Sequence, residues 1–262
     1  MFSDYHIHTS FSDDSECPME AMALKAIELG MDEVAFTDHV DYGVKTDELN
    51  CNYLAYFAEL ERLQKKYQGQ IIIRKGIEFG LQMHWIQQYE KDFAAYPFDF
   101  VILSNHEIND QEFWNQEFQS GKTQEEYQQA YYRAIYELVK RYKNYSVLGH
   151  LDMIKRYDAY GDYPDDKIMD IVEKILRQVI EDDKGIEINT SSFHYKLNDL
   201  TPSRAILKLY YDLGGRIITI GSDAHDTGRL ADHVPVVKKI LRELGFRQFC
   251  TFSEMKPIFW EL

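Results

Sequence analysis

Seven times along the chain a short apolar run gives way to a longer stretch whose apolar residues recur at helical spacing. The short runs cover residues 4–7, 33–37, 70–79, 100–104, 146–149, 185–189 and 216–221. The β-branched and aromatic content of Ile71-Ile72-Ile73, Val34-Ala35-Phe36 and Ile217-Ile218-Thr219-Ile220 marks strands buried on both faces, as in a parallel sheet. Between them lie helical signals. Pro18 reads as the first helical position of a segment with Met19, Met22, Ala23, Ala26 and Ile27 on its apolar face and Gly30 as its stop. Thr201-Pro202 opens a second, through Ile206, Leu209, Tyr210 and Leu213 to Gly214-Gly215. Residues 54–67, 123–143 and 165–184 read as further amphipathic helices. Alternation of this kind requires parallel strands joined by right-handed crossovers, which leaves a (β/α) barrel or an open doubly wound sheet.

The chain has 262 residues, 45% of them hydrophobic, enough for one barrel-sized domain spanning 1–262 with a substantial core. Its 29 Lys+Arg against 44 Asp+Glu give a net charge of −15, which disfavours a nucleic-acid backbone or an anionic membrane as partner. No run approaches the ~20 apolar residues of a membrane span, and the Met1-Phe2-Ser3-Asp4 start lacks a secretory pattern. Cys17, Cys51 and Cys250 are few, odd in number and far apart, so a cytoplasmic protein with reduced thiols is expected.

The chemistry sits where the strands end. The first ends in His6-Ile7-His8, two histidines at i and i+2 on the same side of an extended chain. The others end in Thr37-Asp38-His39, Gly76-Ile77-Glu78-Phe79, Ser104-Asn105-His106, Gly149-His150-Leu151-Asp152 and Gly221-Ser222-Asp223-Ala224-His225. Six of the nine histidines therefore cluster at the C-terminal ends of predicted strands, which a barrel gathers onto one face and an open sheet would spread along an edge. Imidazole and carboxylate without thiolate suit Zn, Mn or Fe. With Glu78, Asp223 and a carboxylate from Asp13-Asp14, nine candidate ligands suffice for two or three divalent ions. His84 and His233, in polar surroundings, read as surface residues, and Asp38 and Asp152 as partners that orient His39 and His150. Trp85, Phe113 and Trp114 fall in loops after the third and fourth strands, where they could cover a pocket.

In order and spacing these motifs resemble the PHP (polymerase and histidinol phosphatase) superfamily over nearly the whole chain, and within it the stand-alone histidinol-phosphate phosphatase branch. The resemblance implies a distorted, TIM-like (β/α)7 barrel with a trinuclear metal centre. It would place one ion on His6, His8, Glu78 and Asp223, with Glu78 bridging to a second on His106 and His150. His39 and His225 would hold the third with Asp14, or with Asp13 as some relatives do. Glu78 and Asp223 are thus the expected catalytic carboxylates. Arg156 falls where the branch contacts substrate phosphate, and His194 where it usually carries a second phosphate-binding arginine. The implied activity is hydrolysis of L-histidinol phosphate, in histidine biosynthesis, by attack of a metal-bridging hydroxide. The rivals are a PHP phosphatase for another small phosphate ester or phosphotyrosine, and a metal-binding PHP protein without this activity. An exonuclease is disfavoured by the acidity. No DxDx(T/V) or Cys-x5-Arg nucleophile motif is present.

Overall fold

The computed structural model describes residues 1–46 and 48–262. In chain order the strands are β1 (Ser3–Asp4), β2 (Glu33–Phe36), β3 (His39–Val40), β4 (Ile72–Gly80), β5 (Phe100–Ser104), β6 (Glu107–Ile108), β7 (Gln111–Glu112), β8 (Val147–Leu148), β9 (Gly185–Asn189), β10 (Ile218–Gly221), β11 (Gln248–Ser253) and β12 (Lys256–Glu261). The helices are α1 (Met19–Glu28), α2 (Tyr53–Lys66), α3 (Ile86–Ala95), α4 (Gln124–Arg141), α5 (Met169–Glu181), α6 (Ser191–His194), α7 (Arg204–Asp212) and α8 (Val234–Leu244).

Seven parallel strands form a nearly closed barrel in the order β1-β2-β4-β5-β8-β9-β10. The ring draws together where Tyr5 N donates to Ile220 O at 3.1 Å and Ile7 pairs in parallel with Ala224. The nine-residue β4 pairs first with β2, through Lys75, and then with β3 at Glu78 and Phe79. The side-chain composition explains the architecture: β2, β5 and β10 are buried along their whole length, so both faces must be covered, and crossover helices do this. All seven predicted strands form.

Three helix starts differ from expectation, among them α5, which begins at Met169 after a separate 3-10 turn at Asp165–Lys167. α1 begins at Met19, with Pro18 just outside it. α7 begins at Arg204 and is capped by Ser203, whose Oγ accepts from Ile206 N, so Thr201 is not the cap. The helices α3 and α8 and the hairpins β6–β7 and β11–β12 add to the elements expected from the sequence.

The β11–β12 hairpin closes the N-terminal end of the barrel. Phe252 packs against Phe100, which meets Tyr5 edge-on with ring centroids 4.9 Å apart. The Tyr5 hydroxyl accepts from Phe252 N at 2.8 Å and donates to Glu33, whose carboxylate also takes Arg74 Nε at 2.7 Å. Arg74 reaches on to Ser253 Oγ at 2.9 Å, tying hairpin to barrel. Burying an aromatic such as Phe252 is worth about 1.5–3 kcal/mol. With the hairpin covering this end, the cavity of the described residues lies at the C-terminal ends of the strands. Among the described residues no helix is long and apolar enough to cross a membrane.

Candidate metal centre

Glu78 stands at the middle of the open end, fully buried. Its Oε1 lies 2.9 Å from His150 Nε2 and 3.2 Å from His106 Nε2, and accepts from Ser104 Oγ at 2.6 Å. Its Oε2 lies 3.0 Å from His39 Nδ1, 3.1 Å from His6 Nε2 and 3.5 Å from His8 Nε2. One carboxylate from β4 therefore faces five imidazoles carried by four other strand ends. Asp223, just past β10, completes the inner set: Oδ1 is 3.3 Å from His8 Nε2 and 3.6 Å from His6 Nε2. It adopts φ 56°, a left-handed conformation that aspartate tolerates better than most residues. Nearer solvent, Asp14 Oδ2 lies 3.0 Å from His225 Nε2 and 3.6 Å from His39 Nε2, whereas Asp13 turns away to an ion pair with Lys45.

Ligand-type atoms gather into four overlapping groups, each within 4.8 Å: His8, Asp14, His39 and His225; His6, Glu78 and His150; His6, His8 and Asp223; His39, Asp41 and His106. All nine sequence-predicted ligands fall in these groups.

The charges respond to this crowding. Burial opposes the charged form of His6, His39 and His106, yet neighbouring carboxylates raise all three, His106 to about 10. His8 goes the other way: burial, then His39 and His225, push it down to about 3, so its ring is neutral. Burial would raise Glu78 and Asp223, but the surrounding imidazoles, and for Asp223 also Arg156, hold both well below the usual carboxylate range. His8 Nε2 and His39 Nδ1 are buried close to carboxylate oxygens without making a hydrogen bond to any of them. Orphaned imidazole nitrogens beside unprotonated carboxylates, with no thiolate, form a donor set that fits Zn, Mn or Fe.

Two acidic residues that sequence reasoning did not single out hold these rings. Glu187 Oε1 lies 2.5 Å from His6 Nδ1, while its Oε2 accepts from His150 N at 2.9 Å. Its signal was available, since Gly185-Ile186-Glu187 repeats the Gly76-Ile77-Glu78 pattern on another strand. Asp41 lies 2.8 Å from His106 Nδ1, and a Cβ at Gly80 would fall 1.8 Å from Asp41 Oδ1 and 2.7 Å from that same nitrogen. Glycine at 80 thus makes room for the pair. Asp38 reaches His8 only through Ser12, whose Oγ donates to Asp38 at 2.7 Å and sits 3.2 Å from His8 Nδ1. Asp152 does not orient His150. It accepts from Ser203 N and pairs with Lys155, because the chain turns after Leu151 and carries it away from the ring.

Above the cluster lies a cavity of about 260 Å³. Arg156 lines it, buried, with Nη2 donating to Asp223 Oδ2 at 3.0 Å and Ser191 Oγ at 2.7 Å, and with Tyr195 under its guanidinium at 4.8 Å. His194 does not line it: α6 points Ser191 inward and leaves His194, at its far end, exposed. Arg229, from the loop after β10, lines the wall instead. Glu107, Glu112 and Trp114 also line the cavity, while Phe113 belongs to the core and Trp85 packs beside Tyr42. His84 is exposed beside Asp110, and His233 stacks on Phe193, both away from the centre.

The PHP domain family matches residues 4–191. The histidinol-phosphatase of Lactococcus lactis is 34% identical over 97% of this chain and 95% of its own length. A probable histidinol-phosphatase of Thermotoga maritima is 29% identical over 93% and 92%. Among solved structures, the Lactococcus lactis histidinol phosphate phosphatase complexed with Zn, L-histidinol and phosphate superposes with a TM-score of 0.91, covering 98% of each chain at 33% identity. With the barrel, the strand-end histidines and the full-length likeness all in agreement, the chain belongs to the PHP domain family.

Proposed function

We propose that this chain is a metal-dependent phosphomonoesterase of the cytoplasm that hydrolyses L-histidinol phosphate to L-histidinol and phosphate. The observation that carries this reading is the mixed lining of the cavity: a histidine–carboxylate cluster with Arg156, together with Glu112 and Trp114. An ester with an anionic phosphoryl group and a cationic amine-bearing tail matches both. The family likeness supports the same substrate, because the Lactococcus lactis relative was solved with L-histidinol and phosphate.

His6, His8, Glu78 and Asp223 would hold one divalent ion, His106 and His150 a second shared with Glu78, and His39, His225 and Asp14 a third. Bound there, Zn, Mn or Fe would polarise phosphoryl oxygens and acidify water near neutral pH. The chain's own residues do the rest. Glu187 and Asp41 fix the rings of His6 and His106 through their outer nitrogens. Arg156 offers a planar fork to phosphoryl oxygens, and Asp223 and Ser191 hold that fork in place before substrate arrives. Glu112 and the face of Trp114 receive the cationic tail. Glu107 is buried, with burial and Asp41 pushing its carboxyl well above the usual carboxylate range, and it contributes shape to the pocket.

The test is a panel of phosphate esters assayed with Zn- or Mn-loaded protein whose metal content is measured. L-histidinol phosphate should exceed phosphotyrosine and p-nitrophenyl phosphate in kcat/KM by about 100-fold or more, equivalent to ~2.7 kcal/mol of differential transition-state binding. Equal turnover of all three would overturn the assignment in favour of a general phosphatase. Full metal without turnover would point to a binding protein.

A further inference from the structure

We propose that Arg229 provides the second guanidinium that holds the phosphoryl group, from the loop after β10 rather than from α6. Arg229 lines the cavity together with Arg156, Asp14 and His225. Its Nε is buried and makes no hydrogen bond, and its Nη2 has only a long contact, 3.4 Å, to Ser222 O. Among the described residues no carboxylate approaches its guanidinium within salt-bridge distance, although the chain carries a net charge of −15. By contrast Arg156, on the same cavity, pairs with Asp223.

An unpaired guanidinium with a desolvated N–H is costly unless a ligand completes it. The Nε of Arg156 is likewise buried without a partner. Two guanidiniums lining one cavity, each with a donor the chain leaves unused, point to a shared oxyanion, and guanidinium geometry favours a phosphoryl group.

The loop holds Arg229 where it is. Arg229 N donates to Asp226 O at 3.2 Å and Asp232 N to Arg229 O at 3.0 Å. Ala231 N donates to the fully buried Asp4 at 2.8 Å, and Thr190 Oγ1 to Asp232 O at 2.7 Å. The backbone on both sides is therefore pinned to β1 and to the end of β9, so the side chain is placed before any ligand binds. His194, exposed outside the cavity, cannot do this work.

The inference rests on the phosphatase reading for the identity of the ester, but its test does not need turnover. Inorganic phosphate is titrated by calorimetry into the metal-loaded wild type and into Arg229→Gln, Arg229→Lys and His194→Ala, with metal content and melting temperature recorded for each. Arg229→Gln should weaken phosphate binding about tenfold or more at unchanged metal content, Arg229→Lys by less, and His194→Ala by under about twofold. The KM for L-histidinol phosphate should follow the same order. Phosphate affinity within twofold of wild type in both Arg229 variants, or an equal loss in His194→Ala, would overturn the proposal. Should Arg229→Gln fail to fold, Arg229→Lys decides alone. If the wild type binds phosphate through Arg229 yet does not hydrolyse L-histidinol phosphate, the substrate assignment fails and the role of Arg229 stands.

Discussion

Glu187 Oε1 lies 2.5 Å from His6 Nδ1, and this one contact turns the opposite nitrogen of the ring toward Glu78 and Asp223, at 3.1 and 3.6 Å. The carboxylate keeps the proton on Nδ1 and leaves Nε2 free as a donor atom to a cation. The site is tightly built: a Cβ on Gly221 would fall 2.5 Å from Glu187 Oε1 and 2.2 Å from His6 Cβ. Glu187→Ala should therefore weaken metal affinity and activity about 10–100-fold while the barrel stays folded. Competition against a chelator of known affinity measures the first, and unchanged circular dichroism checks the second. Wild-type metal affinity would show that His6 needs no such anchor.

Glu78 is the acidic residue on which the cluster converges, and replacing it removes more than one contact. Its two oxygens lie within 3.5 Å of five imidazoles. Glu78→Ala should lose most bound metal by elemental analysis and at least about 10³-fold in kcat/KM, roughly 4 kcal/mol. Near-wild-type turnover in that protein would contradict a centre shared through Glu78.

Much of this was legible in the chain, for identifiable reasons. Barrel strands bury both faces and so write themselves as apolar runs, and residues at their ends must converge whatever lies between. Hence all nine predicted ligands meet, although Asp14 and His225 are 211 positions apart. What was not legible depends on geometry with no linear signal. Arg229 sits in an irregular loop, and only the folded turn aims it at the cavity. His194 shares a motif with Ser191, which accepts from Arg156, but one turn of α6 separates the two and leaves His194 exposed. The hairpin β11–β12 was hidden because its turn residues, Glu254 and Met255, take φ of 49° and 63° without the Asn or Gly that usually announces such a turn.

Removing the metal should expose the histidine charges as a pH-dependent term. In the metal-free protein His6, His39 and His106 are raised above the ordinary histidine value, His106 to about 10, because carboxylates outweigh burial. A raised group stabilises the fold fully below its unfolded value, about 6.5, and loses that contribution as pH climbs through its folded value. Glu78 and Asp223, lowered in the fold, contribute fully above about pH 4 and do not offset this loss. Chelator-treated protein should therefore melt at progressively lower temperature from pH 6.5 to 9. The metal-loaded form should be flatter, since metal binding requires neutral imidazoles and strengthens with pH. Buried tyrosines and cysteines titrate alike in both forms and cancel in the comparison. Parallel melting curves for the two forms across this range would refute the assignment of these charges.

The acidic wall of the cavity should decide which ester is preferred. Glu107 and Glu112 face each other across the antiparallel β6–β7 pair, an arrangement that costs stability when both are charged. Burial and Asp41 relieve this by pushing the Glu107 carboxyl well above the usual range, and Glu112, the more exposed of the two, also lines the cavity. A charge so placed acts on whatever the phosphoryl group carries with it. Glu112→Gln should raise KM for L-histidinol phosphate about 5- to 10-fold, the ~1 kcal/mol expected of a partly solvated ion pair. For p-nitrophenyl phosphate, whose tail bears no positive charge, KM should move less than about twofold. The same substitution removes one of the two facing carboxyl groups, so the melting temperature should hold or rise slightly. Steady-state kinetics on both esters distinguishes this from a general loss of fit, in which both KM values would rise together and the wall would have no part in selecting a cationic tail.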